Sequence, residues 1–248
     1  MSGTLIVTGG SRGIGAAVAL EAARAGWAVA VNYLSNAAAA ARVVAEIEAG
    51  GGRAAAIQAD ASEEAEIERL FDEAEAGLGP LGGLVNNAGI IAPVQRLDEM
   101  ETARLERMFR TNVLGPFLCA RAAVKRLSTR HGGKGGVIVN LSSAAARIGS
   151  PGQFVDYAAS KGAIDTFTYG LALEVAKEGI RVNAVRPGLI DTEIHAAAGL
   201  PTRVADLGGG VPLGRGGSAQ EVADAICYLL SEKSSYITGV LLDVSGGR

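Results

Sequence analysis

The stretch Thr8-Gly9-Gly10-Ser11-Arg12-Gly13-Ile14-Gly15 decides the fold of this 248-residue chain. The β-rich run Thr4–Thr8 leads straight into it, and a helical pattern over residues 13–26 follows. Glycine lets a backbone turn sharply and approach a bulky ligand with no side chain in the way. A helix that starts there offers free N–H groups and the positive end of its dipole, a combination suited to a pyrophosphate. In a chain with 35 glycines, three of them alone say little. Their place between a first strand and a first helix gives the motif its weight.

The same rhythm continues outward. Runs at Ala28–Asn32, Ala54–Ala59, Gly83–Asn86, Gly136–Leu141, Arg181–Val185 and Val240–Val244 are nearly continuously apolar, as strands covered on both faces should be. Helical stretches at about 36–50, 63–77, 98–130, 156–178 and 218–230 alternate with them. Gly26, Gly50, Gly77 and Gly179 stand where helix C-caps belong. This alternation predicts an α/β fold: one Rossmann-type domain over residues 1–248 with a doubly wound, parallel, seven-stranded sheet. Ligands then bind at the carboxyl ends of the strands. The glycine-rich stretch at about 191–217 breaks the rhythm just after a strand end, where a mobile substrate loop belongs.

Composition narrows the function classes. Hydrophobic residues make up 48% of the chain and charged ones 20%, which supports a large core and argues against disorder. The net charge of −3 and the lack of a basic patch argue against a nucleic-acid partner. Only His131 and His195 are present, without HExxH or CxxC spacing, so no metal site is expected. Cys119 and Cys227 read as buried, reduced thiols. No run is long and apolar enough to span a membrane and no signal peptide is read, so the expected location is the cytoplasm.

The glycine spacing is TGxxxGxG, and further pieces follow in order. They are Asn86-Asn87-Ala88-Gly89, Asn112, Ser143, Tyr157-Ala158-Ala159-Ser160-Lys161, Pro187-Gly188 and the tail Asp243–Gly247. This ordered set, which covers the whole chain, resembles the short-chain dehydrogenase/reductase family. The likeness extends to 3-oxoacyl-acyl-carrier-protein-reductase-like and glucose-dehydrogenase-like members. It implies hydride transfer between a nicotinamide and a carbonyl or alcohol carbon of a small molecule.

The resemblance also distributes roles. Tyr157 exchanges a proton with the substrate oxygen, Ser143 hydrogen-bonds that oxygen, Lys161 tunes Tyr157 and binds the nicotinamide ribose, and Asn112 holds a water behind Lys161. Gly9, Ser11, Gly13, Ile14 and Gly15 face the cofactor phosphates, with Asn87, Ala88 and Gly89 beside them. Asp60 and Ala61 meet the adenine, although Asp60 serves equally as a helix cap. Pro187, Gly188, Ile190 and Thr192 line the nicotinamide, and Thr192 alternatively caps a helix.

The residues carry a physical reading of their own. Tyr157 and Lys161 lie four apart and share a helix face. A free phenol has a pKa near ~10, and a nearby ammonium should pull it down. Ser142 and Ser143 adjoin at a strand end, so only one of them can face the site; Ser143 is the choice. The second strand ends in Asn32-Tyr33-Leu34-Ser35-Asn36, which places Asn32 and Ser35 near the adenosine ribose with no carboxylate to repel a 2′-phosphate. With Arg12 in the glycine loop, NADP(H) is favoured over NAD(H).

The preferred substrate is a 3-oxoacyl thioester or small ketone, and a sugar or polyol dehydrogenase is the alternative. A non-catalytic cofactor-binding scaffold or sensor is the alternative of another class, and the retention of Ser143, Tyr157 and Lys161 speaks against it. The family likeness implies a homo-oligomer, usually a tetramer, buried through the helices at 98–130 and 156–178 and the C-terminal strand. Few charges occupy 191–217, which argues against a strongly anionic small substrate.

Overall fold

In the computed structural model, which describes residues 3–248, the chain forms nine strands and ten α-helices. The strands are β1 (Thr4–Val7), β2 (Ala28–Tyr33), β3 (Arg53–Gln58), β4 (Leu81–Asn86), β5 (Gly136–Leu141), β6 (Ile180–Pro187), β7 (Ile190–Asp191), β8 (Gly217–Ser218) and β9 (Leu241–Val244). Seven of them pair in parallel in the order β3-β2-β1-β4-β5-β6-β9, and β7 and β8 pair separately. The helices are α1 (Gly13–Arg24), α2 (Ala37–Ala49), α3 (Glu64–Leu78), α4 (Thr102–Phe109), α5 (Gly115–Leu127), α6 (Ala145–Ile148), α7 (Val155–Val175), α8 (Ile194–Ala197), α9 (Arg203–Leu207) and α10 (Ala219–Leu230).

Alternation along each strand divides the core between the two faces of the sheet. Ile6, Ala30, Leu84 and Ile138 point to the face covered by α3, α5 and α7, where Phe71, Leu70 and Val175 pack. Leu5, Val7, Val29, Val85 and Val137 point to the other face, onto Val18 of α1, Val43 of α2 and Ile226 of α10. Both faces are apolar, which is why the strands read as continuous apolar runs. A buried polar chain crosses the first interface. Asn86 Nδ2 donates to Asn140 Oδ1 at 2.9 Å, Asn140 Nδ2 donates to Thr168 Oγ1 at 2.9 Å, and Thr168 Oγ1 donates to the Ile164 carbonyl at 2.8 Å. This chain ties α7 to β4 and β5, and leaves Asn86 Oδ1 as its one buried oxygen without a partner among the described residues.

Three details depart from the sequence pattern. The helix expected over 98–130 is divided: a single 3₁₀ turn, Leu97–Glu99, precedes α4, a π-helical turn at Arg110–Leu114 joins α4 to α5, and a last 3₁₀ turn covers Thr129–His131. Gly77 lies inside α3, which ends at Leu78 with Gly79 as its C-cap. The stretch expected to be a loop at 191–217 contains α8, α9 and the start of β8.

The strand order reverses between β1 and β4. The loops leaving these two strands diverge there and open a crevice at the carboxyl edge of the sheet, the switch point where such folds bind ligands. No helix of the described residues is long and apolar enough to cross a membrane.

Candidate functional site

A cavity of about 550 Å³ occupies this crevice, within the range expected for a cofactor or ligand site. Of the residues named from the sequence as cofactor- or substrate-facing, all but Gly15 and Asn112 line it.

The end of the cavity at the glycine loop is built by backbone. Gly9 and Gly13 take left-handed φ values of 61° and 53°, which only glycine adopts without strain. Arg12 precedes α1 in an extended conformation, and no side chain caps that helix. By contrast, Asn36 caps α2 and Ser218 caps α10. The first amides of α1 are thus left for an anion. Thr8 Oγ1 accepts hydrogen bonds from the Asn87 and Ala88 amides, each at 3.0 Å. Asn87 Nδ2 donates to the carbonyls of Thr8 at 2.9 Å and Gly9 at 3.0 Å, so the loops after β1 and β4 are tied together. Gly15 acts from behind: a Cβ there would overlap the Gly9 carbonyl and come within 2.5 Å of Asn87 Nδ2.

At the ends of β2 and β3, Asn32 and Asp60 line the cavity and also make structural hydrogen bonds. Asn32 is 2% exposed; its Oδ1 accepts from the Gly9 amide at 3.1 Å and its Nδ2 donates to the Ala59 carbonyl at 3.0 Å. Asn32 therefore braces the ends of three strands. Asp60 Oδ1 accepts from Ser62 N at 2.9 Å and Ser62 Oγ at 2.7 Å, which closes a turn ahead of α3 and does not cap that helix, whose N-cap is Glu63 with no side-chain bond. Arg12 Nη1 lies 3.7 Å from Glu193 Oε2, and both side chains are largely exposed. This pair spans the cavity mouth between the glycine loop and the segment after β7.

The chemical end lies on α7 and the loop after β5. Ser142 is buried and donates to the Lys161 carbonyl at 3.1 Å, which leaves Ser143 to face the cavity beside the Tyr157 phenol. Lys161 Nζ donates to the Leu141 carbonyl at 2.7 Å and lies 5.7 Å from the centre of the Tyr157 ring. Burial pushes the Tyr157 pKa up, and the hydrogen bond with Ser143 opposes the rise. The sequence leads one to expect a phenol pulled down by Lys161. Here desolvation dominates, because Lys161 is itself buried and pushed down to about 8, with Asp165 opposing.

Asn112 lies in the π-helical turn and is 0% exposed. Its Oδ1 accepts from the Ile90 amide at 2.8 Å and its Nδ2 donates to the Ile90 carbonyl at 2.9 Å. A Cβ on Gly89 would meet Asn112 Oδ1 at 3.3 Å and Lys161 Nζ at 3.6 Å, so bare backbone separates the two groups. The π turn lets Asn112 grip this loop while α4 and α5 continue on either side.

The sequence reading passed over Asp156, and it named His195 only as a polar residue of the 191–217 stretch. Asp156, one position before Tyr157, forms a two-point ion pair with Arg104 of α4, Oδ2 to Nε at 2.8 Å and Oδ1 to Nη2 at 3.2 Å. The sequence signal was a charged residue in an apolar helix start. His195 packs Nε2 on the Ile190 carbonyl at 2.9 Å, and burial pushes its pKa down.

The lowered Lys161 pKa has a stability consequence. Between about 8 and the ordinary 10.5 the unfolded chain holds a proton that the folded chain releases, so stability rises with pH across that window. Below about 8 the penalty of the buried charge is present in full. Melting temperatures from pH 7.5 to 10 should therefore show wild type gaining on Lys161→Met as pH rises. Parallel curves would remove the assignment of that shift to Lys161.

Comparison with known proteins agrees with this geometry. The family model described as "Enoyl-(Acyl carrier protein) reductase" matches residues 9–248. An uncharacterized oxidoreductase, YgfF, of Escherichia coli K12 is 53% identical over 243 residues, which is 98% of each chain. A 3beta-hydroxysteroid dehydrogenase of Eggerthella lenta is 40% identical over 98% of this chain and 92% of its own. A 3-oxoacyl-[acyl-carrier-protein] reductase of Staphylococcus aureus is 37% identical over 100% of this chain and 98% of its own. A dehydrogenase/reductase from Sinorhizobium meliloti 1021 superposes with a TM-score of 0.86 at 36% identity, covering 98% of this chain and 94% of that one. The chain belongs to the short-chain dehydrogenase/reductase family and is one of its nicotinamide-dependent CH–OH oxidoreductases.

Proposed function

We propose that this protein is an NADP(H)-dependent reductase of a 3-oxoacyl thioester or small ketone. The observation that carries the reading is Ser143, Tyr157 and Lys161 gathered at one end of a cavity whose other end presents an uncapped helix and Arg12. Bound NADPH supplies the hydride. The protein supplies the proton and the positioning.

Tyr157 Oη gives its proton to the substrate oxygen as negative charge develops there. A phenol held protonated by burial suits the reductive direction at neutral pH. Ser143 Oγ donates to the same oxygen and is itself oriented by the Ala145 amide at 3.1 Å. Lys161 is fixed by the Leu141 carbonyl, with its remaining protons free for the nicotinamide ribose hydroxyls. Asn112 holds the Gly89–Ile90 backbone beneath Lys161.

The preference for the 2′-phosphate rests on charge. No acidic residue occupies the first turn of α2, and its N-terminus follows the end of β2 where the adenosine ribose would lie. The exposed Arg12–Glu193 pair is worth little in water, so a phosphate dianion displaces the carboxylate. Arg12→Ala should raise the KM for NADPH about tenfold while the KM for NADH changes less than about threefold. Equal changes for both cofactors would contradict this preference. A panel of carbonyls and alcohols, run in both directions with both cofactors, tests the reductase reading against the sugar or polyol alternative.

The reading includes a homo-oligomer, a tetramer in the cytoplasm. Phe109, Leu114 and Phe117 leave apolar surface along α4 and α5, as do Tyr169 and Leu173 along α7. Light scattering on purified protein tests it.

A further inference from the structure

Two arginines at the substrate end of the cavity make no ion pair with a carboxylate. Arg203 opens α9, and Arg203 and Arg248 line the same cavity as Tyr157. The Arg203 guanidinium carbon lies 5.2 Å from the centre of the Phe154 ring, and its Nη2 donates to Gln153 Oε1 at 3.0 Å. Gln153 and Phe154 immediately precede α7. Three residues of helix rise about 4.5 Å, so Arg203 is anchored one turn from the backbone of Tyr157. Arg248 is anchored through its main-chain oxygen, which accepts from Arg147 Nη2 and from Ser245 Oγ, each at 2.8 Å.

Of the carboxylates nearby, Asp191 acts on His195, where it opposes the effect of burial and of Arg203, and four others have partners of their own. Glu193 faces Arg12, Asp206 accepts from the Thr202 hydroxyl at 2.8 Å, Asp243 faces Arg147 at 3.5 Å, and Glu221 pairs with Arg215 at 2.6 Å. Among the described residues, none forms an ion pair with Arg203 or Arg248. The two cations also sense each other: after burial, the charge of Arg248 pushes the Arg203 pKa down. Arg203 in turn helps push the His195 pKa down, which leaves that ring neutral beside them. The same wall is otherwise apolar, with Ile148, Phe154, Ile194 and Ala197. Two half-exposed guanidiniums on one wall, neither in an ion pair, offer an anion charge-assisted hydrogen bonds.

We propose that Arg203 and Arg248 form a binding site for an anionic group, a carboxylate or phosphate, carried by the carbonyl substrate. The inference rests on Tyr157 as the proton donor at the reacting carbon. It reverses the expectation drawn from the sparse charges of 191–217. Three of that stretch's charged residues, Glu193, Asp206 and Arg215, turn to other partners, so its net charge does not describe the cavity wall.

The test compares an uncharged methyl ketone, the keto acid of the same skeleton and a phosphorylated ketone, each with NADPH and the full chain. Wild type should favour at least one anion over the uncharged ketone by about tenfold or more in kcat/KM. Arg203→Met should lower kcat/KM for that anion about 30-fold, mainly through KM, and alter the uncharged ketone less than about threefold. Arg203→Lys should recover part of the loss. The preferred anion tells carboxylate from phosphate. Equal losses on charged and uncharged substrates would overturn the proposal, as would an unchanged anion preference or a rise confined to the KM for NADPH. Failure of the underlying enzyme reading looks different: NADPH is then oxidised with no carbonyl, charged or not. A binding readout independent of turnover is protection by butyrate or inorganic phosphate against thermal unfolding, expected for wild type and lost in Arg203→Met.

Discussion

Tyr157→Phe should lower kcat by about 10³-fold or more while leaving NADPH affinity within about threefold. The substitution removes one oxygen and no bulk, so the cavity keeps its shape. In the proposed mechanism Tyr157 is the acid at the reacting carbon, and Ser143 beside it would be a much weaker one. The phosphate end, built from Gly9, Gly13 and the start of α1, is unaffected by the change. Lys161 remains held by the Leu141 carbonyl and does not depend on the phenol for its position. The loss should therefore appear in kcat, with fluorescence titration of NADPH nearly unchanged. A variant that turns over at near-normal rate would remove Tyr157 from its role.

Asp156→Asn should produce the largest loss of stability. Asp156 is fully buried and Arg104 nearly so, at 0% and 9% side-chain exposure. Arg104 also donates to the Pro93 carbonyl at 2.7 Å and to Gln95 Oε1 at 3.0 Å, so one guanidinium joins α4, the 93–95 segment and the first turn of α7. Removing one partner strands a buried charge and costs about 3–5 kcal/mol. For a chain of this length that is roughly 6–20 °C in melting temperature. Tyr157 follows Asp156 directly, so kcat should fall more than KM rises as the phenol loses its fixed direction. The double variant Arg104→Met/Asp156→Leu should regain much of the stability, because no lone charge remains. A single variant within about 1 kcal/mol of wild type would show the pair to be a bystander.

Local pattern revealed the sheet and most of the residues that line the candidate site. The strands are covered on both faces, so their residues are apolar throughout, and a continuous apolar run survives without knowledge of partners. The glycine loop and the Tyr157–Lys161 spacing are likewise short-range features. What escaped the sequence is set by distant contacts. The pattern over 98–130 continues as helix on both sides of residue 112, and the π turn there carries Asn112, which accepts one hydrogen bond from Ile90 and donates another to it, 22 positions away. Asn32 reads as a cofactor contact, yet its side chain joins Gly9 to Ala59. Arg104 and Asp156 are 52 positions apart, and nothing near either one indicates the other. The charge of the 191–217 stretch was countable, but which charges face the cavity depends on partners that only the fold supplies.

Hydride transfer itself is the most direct measurement. NADPH carrying deuterium on the transferring face of its nicotinamide is incubated with the protein and a carbonyl that it reduces, and the alcohol product is examined by mass spectrometry. Deuterium on the former carbonyl carbon, formed by wild type and lost with Tyr157→Phe, is the expected result. Alcohol without the label, or no alcohol from any carbonyl in the panel, would contradict the assignment.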